Sequence, residues 1–232
     1  MIAPDLQRAL DNPFWSSLTM GHAHFALGGT LARRYPTDIS PIAGLAAPEP
    51  ANIAALETVV DVGDDMANVA RSVPRLPTHW EILYESRLTQ MIRSEQTPLP
   101  EGDLDASSLG PADVPEMLAL VELTKPGPFR LRTIELGAYV GLRQSGRLLA
   151  MAGERLGIAD FREVSAVCTH PEVQGRGYAR ALIARVVNAM MRAGQTPMLH
   201  VESANQRAIE LYASLGFGRR SELSLLYARR LR

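Results

Sequence analysis

The run Gln174-Gly175-Arg176-Gly177-Tyr178-Ala179 stands where a strand pattern gives way to a helical one, and its residue types suit a definite chemistry. A glycine turn that opens a helix leaves backbone N–H groups without intrahelical partners at the positive end of the helix dipole, which makes a cradle for phosphate. Gly175 and Gly177 remove the Cβ atoms that would hold a pyrophosphate off the backbone. Arg176 and Arg180 can add charge-assisted contacts. A nucleotide P-loop needs Lys and then Ser or Thr after its last glycine, and here Tyr178 follows Gly177. A dinucleotide fingerprint needs Gly or Ala where Arg180 stands, in an early βαβ unit. Taken alone, the loop is either a diphosphate cradle of another kind or a structural turn.

The elements around the loop are legible from periodicity. Glu163 to Thr169 alternates as a strand, with Val164, Ala166 and Cys168 on one face and Glu163, Ser165, Val167 and Thr169 on the other. From Gly177 to about Ala193 a helix buries Leu182, Ile183, Val186, Val187 and Met190, and Gly194 stops it. Met198 to Glu202 reads as a strand, 205 to 215 as a helix and Leu223 to Tyr227 as a closing strand. Upstream, Asp113 and Glu116 fit a capping box, and the helix that follows ends before Lys125-Pro126-Gly127-Pro128. Tyr139 to Arg143, the turn Gln144-Ser145-Gly146 and Leu148 to Leu156 form a hairpin. The fold class is α/β with a mixed sheet.

The first hundred residues are less regular. Phe14, Trp15 and Phe25 are candidate core anchors, and the prolines between 36 and 50 mark an extended connection. Asn52–Leu56 reads as a short helix, Thr58–Val62 as a strand and His79–Tyr84 as the start of another. Thr97 to Pro111 is rich in Pro, Gly, Asp and Ser, which places a joint near residue 105 between regions 1–105 and 106–232. The chain has 232 residues, is 46% hydrophobic and carries a net charge of −1, values that exclude a disordered or fibrous protein. Near-neutrality disfavours a general nucleic-acid binder. No stretch of about 18 apolar residues runs uncharged, so no membrane partner is expected. The N-terminus lacks a signal-peptide pattern, and the single cysteine, Cys168, allows neither an internal disulfide nor a zinc cluster. The expectation is a cytoplasmic monomer or homodimer without a metal.

Val167 to Ala179, with Gln174, Gly177 and Ala179 at the diagnostic places, resembles motif A of the GCN5-related N-acetyltransferase (GNAT) superfamily. Asn205-Gln206-Arg207-Ala208-Ile209-Glu210-Leu211-Tyr212-Ala213-Ser214-Leu215-Gly216-Phe217 resembles motif B, and the whole looks closest to the FR47-like branch. Two motifs in order, about thirty residues apart, are far more specific than either alone. The resemblance covers about residues 106 to 230 and implies a GNAT fold, with an additional α/β region before it.

It also implies acetyl-CoA as cosubstrate and an amine of a small molecule or peptide as acceptor. The pantetheine arm would pair with Val167, Cys168 and Thr169 between two splayed strands. The pyrophosphate would sit on the amides of Gln174, Gly175, Arg176, Gly177, Tyr178 and Ala179, with Arg180 close by, and Asn205 would touch the cofactor arm. Tyr212 would protonate the departing thiolate, and a Tyr pKa near ~10 keeps that proton in place at neutral pH. Glu163 matches the place of a glutamate base in some members, with His200 and Glu202 as runners-up. Cys168, with no partner to activate it, reads as an apolar filler. Acceptor choice falls to the loop Leu123 to Phe129 and to Arg130 and Arg132. Residues 1–105 fit a degenerate second copy, a cover over the acceptor cleft or an oligomer surface. A CoA-binding sensor without turnover and transfer to a hydroxyl or thiol are the competing functions.

Overall fold

Alternation in the second half of the chain becomes a layered α/β structure in the computed structural model, which describes residues 2–232. Helices α1 (Pro4–Asp11) and α2 (Pro13–Thr19) each begin with proline in the first turn, where a missing N–H forfeits no intrahelical bond. Three short strands, β1 (Leu27–Gly28), β2 (Ala32–Arg34) and β3 (Ala43–Leu45), form a small antiparallel sheet, followed by α3 (Pro50–Leu56). Then come β4 (Asp65–Ala70), β5 (Trp80–Ile92), β6 (Ala106–Leu109), α4 (Val114–Thr124), β7 (Tyr139–Gln144), β8 (Arg147–Ile158) and β9 (Phe161–Thr169). The chain closes with α5 (Tyr178–Arg192), β10 (Thr196–Glu202), α6 (Gln206–Ala213) and β11 (Gly218–Arg230).

The large sheet has eight strands in the order β4-β11-β5-β10-β9-β8-β7-β6. All neighbours are antiparallel except β9 and β10. One face carries α5, with Ala150, Ala152, Val164, Leu182, Ile183 and Leu199 in a single apolar cluster. Alternate residues of the same strands, among them Met151 and Cys168, point to the other face and pack on Met117 and Leu120 of α4. Beside α4, the first two helices cover that face through Leu10, Phe14 and Leu18, which meet Leu156, Met198 and Leu223.

Strand β5 lies between β10 and β11, pairing with both. The sheet therefore runs across residue 105. The Pro- and Gly-rich stretch around it is a crossover from β5 to β6, and chain from both sides shares one core; such composition marks a break in regular hydrogen bonding, not a break in packing. Thr58–Val62 is turn rather than strand: the N–H groups of Val59 and Val60 both bond to Leu56 O at the end of α3, and Val60 is buried beside it. The capping pattern at α4 also differs from the Asp113–Glu116 reading. Asp113 Oδ2 accepts from Gly110 N at 2.7 Å, while Glu116 is held by Arg143 and accepts from Leu148 N. Helix α4 stops where Lys125 turns left-handed (φ 46°, ψ 54°) before Pro126.

Candidate active site

The parallel pair β9–β10 holds together only at its start. Cα partners are Thr196 with Phe161, Pro197 with Arg162 and Met198 with Glu163, after which β9 continues to Thr169 and β10 to Glu202 without pairing. A wedge-shaped gap opens in mid-sheet. On its β9 side the register with β8 slips between Gly153–Ser165 and Met151–Cys168, and Ala166 sits at φ 51°. This bulge inserts one residue, so Val164 and Val167 both face α5 while Ala166 and Cys168 face α4. The simple alternation expected from the sequence, with Val164, Ala166 and Cys168 on one face, is thereby corrected. A left-handed alanine is strained and persists only where its surroundings hold it.

At the end of β9 the chain passes a short turn and reaches the glycine loop. Gly175 and Gly177 have φ of 80° and 82°, a region where a Cβ is disfavoured. An added Cβ at either position would meet nothing within 4 Å, so the glycines serve backbone conformation here. Among the described residues, the N–H groups of Gly175, Arg176, Gly177, Tyr178, Ala179 and Arg180 have no hydrogen-bond acceptor; the first N–H with one is that of Ala181, to Gly177 O at 3.1 Å. Successive free amides at the start of a fifteen-residue helix form an anion cradle with the dipole behind it. Arg180 leans on Ser214 of the neighbouring turn, with its charge beside the loop.

Gap and loop open into one cleft of about 1040 Å³. Val167, Cys168, Thr169, Gln174, Gly175, Gly177, Tyr178, Ala179, Arg180, Asn205 and Tyr212 all line it; Arg176 sits in the loop but does not. Asn205 caps α6, its Oδ1 accepting from Ala208 N at 3.1 Å, and turns the helix so that Tyr212 faces the gap. The Tyr212 ring is braced edge-on by Phe217, with centroids 6.0 Å apart, and burial raises its pKa to about 12. Cys168 is also buried, which pushes its thiol up to about 11 and leaves it an unreactive filler. The Thr169 hydroxyl is buried without a partner where the strand leaves the sheet.

Glu163, the expected base, does not line the cleft. It is 1% exposed, and both its oxygens accept from Arg155, at 2.7 Å from Nε and 2.8 Å from Nη2. Oε1 also lies 2.6 Å from His200 Nδ1. Burial alone would raise its pKa, but the Arg155 charge and these hydrogen bonds outweigh that and bring it to about 2. Such a carboxylate has no tendency to take a proton near neutrality, so Glu163 is a buried counter-ion. His200 is equally committed. Gln90 Oε1 accepts from Arg220, so Gln90 Nε2 donates to Leu10 O and to His200 Nε2, leaving the His200 proton on Nδ1 toward Glu163. Glu202, two residues along β10 on the same face, does line the cleft. Its Oε1 accepts from Ser86 Oγ at 3.1 Å and Tyr84 OH at 3.4 Å.

Beyond the gap, Lys125 to Phe129 form one wall of the cleft, and Phe129 packs edge-on against Tyr139. Arg132 is held by Glu135 and Asp38 outside the cleft, contrary to its expected place in acceptor binding. The opposite wall comes from the first hundred residues, through Phe14, Ile42, Ala67, Val69 and Leu88. Those residues, with Arg155 and Tyr139 on the floor, were missed in the sequence. Arg155, one of two adjacent charges with Glu154 in the otherwise apolar run Leu148 to Leu156, was the available signal.

A parallel pair split open above a free-amide loop, with a capped tyrosine helix beside it, defines the geometry of the cleft. The chain belongs to the GNAT family of acetyltransferases: it is 36% identical to a GNAT-family protein from Novosphingobium aromaticivorans DSM 12444, over 95% of this chain and 98% of that one, with a TM-score of 0.88. The FR47-like protein family matches residues 139–225, from β7 into β11. N-alpha-acetyltransferase RimI of Mycobacterium tuberculosis is 38% identical over 84 residues, 35% of this chain and 52% of that protein. Mycothiol acetyltransferase of Kocuria rhizophila is 47% identical over 58 residues, 25% of this chain and 19% of that one. The matched stretches thus span about half or less of these two curated relatives.

Proposed function

We propose that the protein transfers the acetyl group of acetyl-CoA to a primary amine by direct attack on the thioester, with no covalent acyl-enzyme. The observation that carries this is the run of unpartnered amides from Gly175 to Arg180 at the mouth of the β9–β10 gap. These amides suit a diphosphate, and the unpaired edge of β9 from Val167 to Thr169 suits the amide-bearing pantetheine arm. When bound, acetyl-CoA supplies an activated acyl group whose thiolate is a good leaving group.

The chain's own residues do the rest. Backbone N–H at the bulge beside Val167 is placed to hydrogen-bond a carbonyl oxygen on which negative charge develops. Tyr212 keeps its proton throughout the neutral range and stabilises the departing sulfur as a hydrogen-bond donor; burial makes it a weaker acid, so donation leads over full transfer. Cys168 stays a thiol and is not a nucleophile. Glu202 is the carboxylate that reaches the cleft on the acceptor side, and it receives the proton of the incoming ammonium directly or through water. Residues from α2, β4 and β5 serve as a cover over the acceptor end.

The test measures free thiol release from acetyl-CoA with and without an amine panel, alongside calorimetric titration of acetyl-CoA. Amine-dependent release that falls about a hundredfold in Tyr212→Phe supports the reading. Tight acetyl-CoA uptake with no release for any amine would assign the protein to the sensor class instead.

A further inference from the structure

The cleft has an acceptor half distinct in character from the cofactor half. Past Ser165 it runs beneath α2 and β4, where Phe14, Ile42, Ala67, Val69, Leu88 and Leu225 line it together with Tyr84, Thr133 and Tyr227. The six apolar side chains bear no polar atom, and the three hydroxyls are already engaged, donating to Glu202 Oε1, Ile39 O and Asp65 Oδ2. A polyamine or an aminosugar would lay hydrogen-bonding groups against a mostly apolar wall, at a penalty for each group left unpaired. An apolar body of phenyl or branched-alkyl size fits instead.

Of the polar side chains on the floor, His200 is engaged at both ring nitrogens, while Arg155 and Tyr139 each keep an unpaired atom. Arg155 gives Nε and Nη2 to Glu163 and lies 5.9 Å from the Phe14 ring centroid. Its Nη1 has no acceptor among the described residues, yet is not among the fully enclosed atoms, so it is reachable from the cleft. Tyr139 is 2% exposed, its ring lies against Gly153, and its hydroxyl has no partner. Both side chains line the cleft; Arg155 Nη1 is open to it, whereas the Tyr139 hydroxyl is enclosed.

The charge of that oxygen follows from the neighbours. Arg155 is already matched by Glu163, which accepts from both its Nε and Nη2, so it has no unmatched charge to offer. A substrate carboxylate at Nη1 would be a second anion beside a buried Glu163 with one cation between them. A carbonyl, amide or ester oxygen satisfies Nη1 without that excess. Lys125 is exposed at the rim and does not neutralise the floor. At the other end Glu202 matches an ammonium group.

We infer that the acceptor is a primary amine on an apolar body that also carries a neutral carbonyl oxygen, the chemistry of an amide or ester of an apolar amino acid. The oxygen is received by Arg155 Nη1. This inference rests on the acetyl-transfer reading for the amine end, while recognition of the body stands on the cleft alone.

The test uses the full chain loaded with CoA and product-like probes, so that binding is read without turnover. By calorimetry, N-acetyl-phenylalaninamide should bind at least about tenfold more tightly than N-acetyl-phenylalanine, which adds the anion, and than N-acetyl-glycinamide, which lacks the phenyl group. Arg155→Lys, which keeps a cation beside Glu163 but removes the Nη1 donor, should weaken the amide probe about three- to tenfold while CoA affinity holds. Equal affinity for the three probes, preference for the carboxylate, or no effect of Arg155→Lys overturns the inference. Thiol release with phenylalaninamide, phenylalanine and spermidine separates the two claims. No release with any amine sinks the transfer reading and leaves the binding order to judge the acceptor class. Fastest release with phenylalanine or spermidine sinks the acceptor class and keeps the transfer reading.

Discussion

Replacing Glu163 by Gln distinguishes a buried counter-ion from a general base. In the wild type the carboxyl is held at about 2 against an ordinary 4.5, a displacement equivalent to about 3 kcal/mol of folding stability. Its folded pKa lies below its unfolded one, so this contribution is complete above about pH 4.5 and disappears as pH falls toward about 2. Glu163→Gln keeps the shape, removes the charge at every pH and leaves Arg155 buried without its anion, a loss of about 3–5 kcal/mol. For a chain of this size each kcal/mol moves Tm by about 2–4 °C, so the variant should melt about 6–20 °C below wild type near pH 7. The gap between the two melting curves should close as the pH drops below 4. Calorimetric scans across that range, with thiol release measured on folded protein at low temperature, make the assay. The catalytic constant should stay within about tenfold of wild type. A variant with wild-type Tm and a rate reduced by a hundredfold or more would restore Glu163 as the base and refute the counter-ion reasoning.

Other perturbations separate the remaining parts. Glu202→Gln should leave Tm nearly unchanged and lower kcat by about a hundredfold near neutrality, with a flattened acid limb in the pH–rate profile. Gly177→Val forces a β-branched residue to φ 82° and crowds the cradle; acetyl-CoA should bind at least about tenfold more weakly by calorimetry, and unchanged affinity would remove the loop from the site. Pro126→Ala and Phe129→Ala should raise acceptor KM while acetyl-CoA affinity holds, since both residues line the cleft beyond the gap; equal loss of both affinities counts against that division.

Legibility in the sequence followed how local each signal was. Helix α5 and its glycine loop could be read because spacing, start and stop signals all lie within one stretch of chain. The α6 cap and Tyr212 were accessible for the same reason. Long-range pairing was not. Nothing in residues 80–92 announces that they pair between β10 and β11, because a strand's neighbours are chosen by the rest of the sheet. The Ala166 bulge escaped because Val164 to Cys168 alternates plausibly under a simple period of two, and one inserted residue reverses the faces. Glu163 misled through the same limit. Its position on the strand was right, but whether a carboxylate meets water or a guanidinium depends on Arg155, across a strand pair that sequence spacing does not reveal.

The placement of β5 has a bearing on how the molecule comes into being. A nascent chain emerging from the ribosome releases residues 80–92 long before β10 and β11 exist to flank them. Until β10 and β11 follow, that strand has open edges on both sides, in a state exposed to mispairing. The cleft wall that β5 supplies and the β9–β10 gap thus wait on the same late strands.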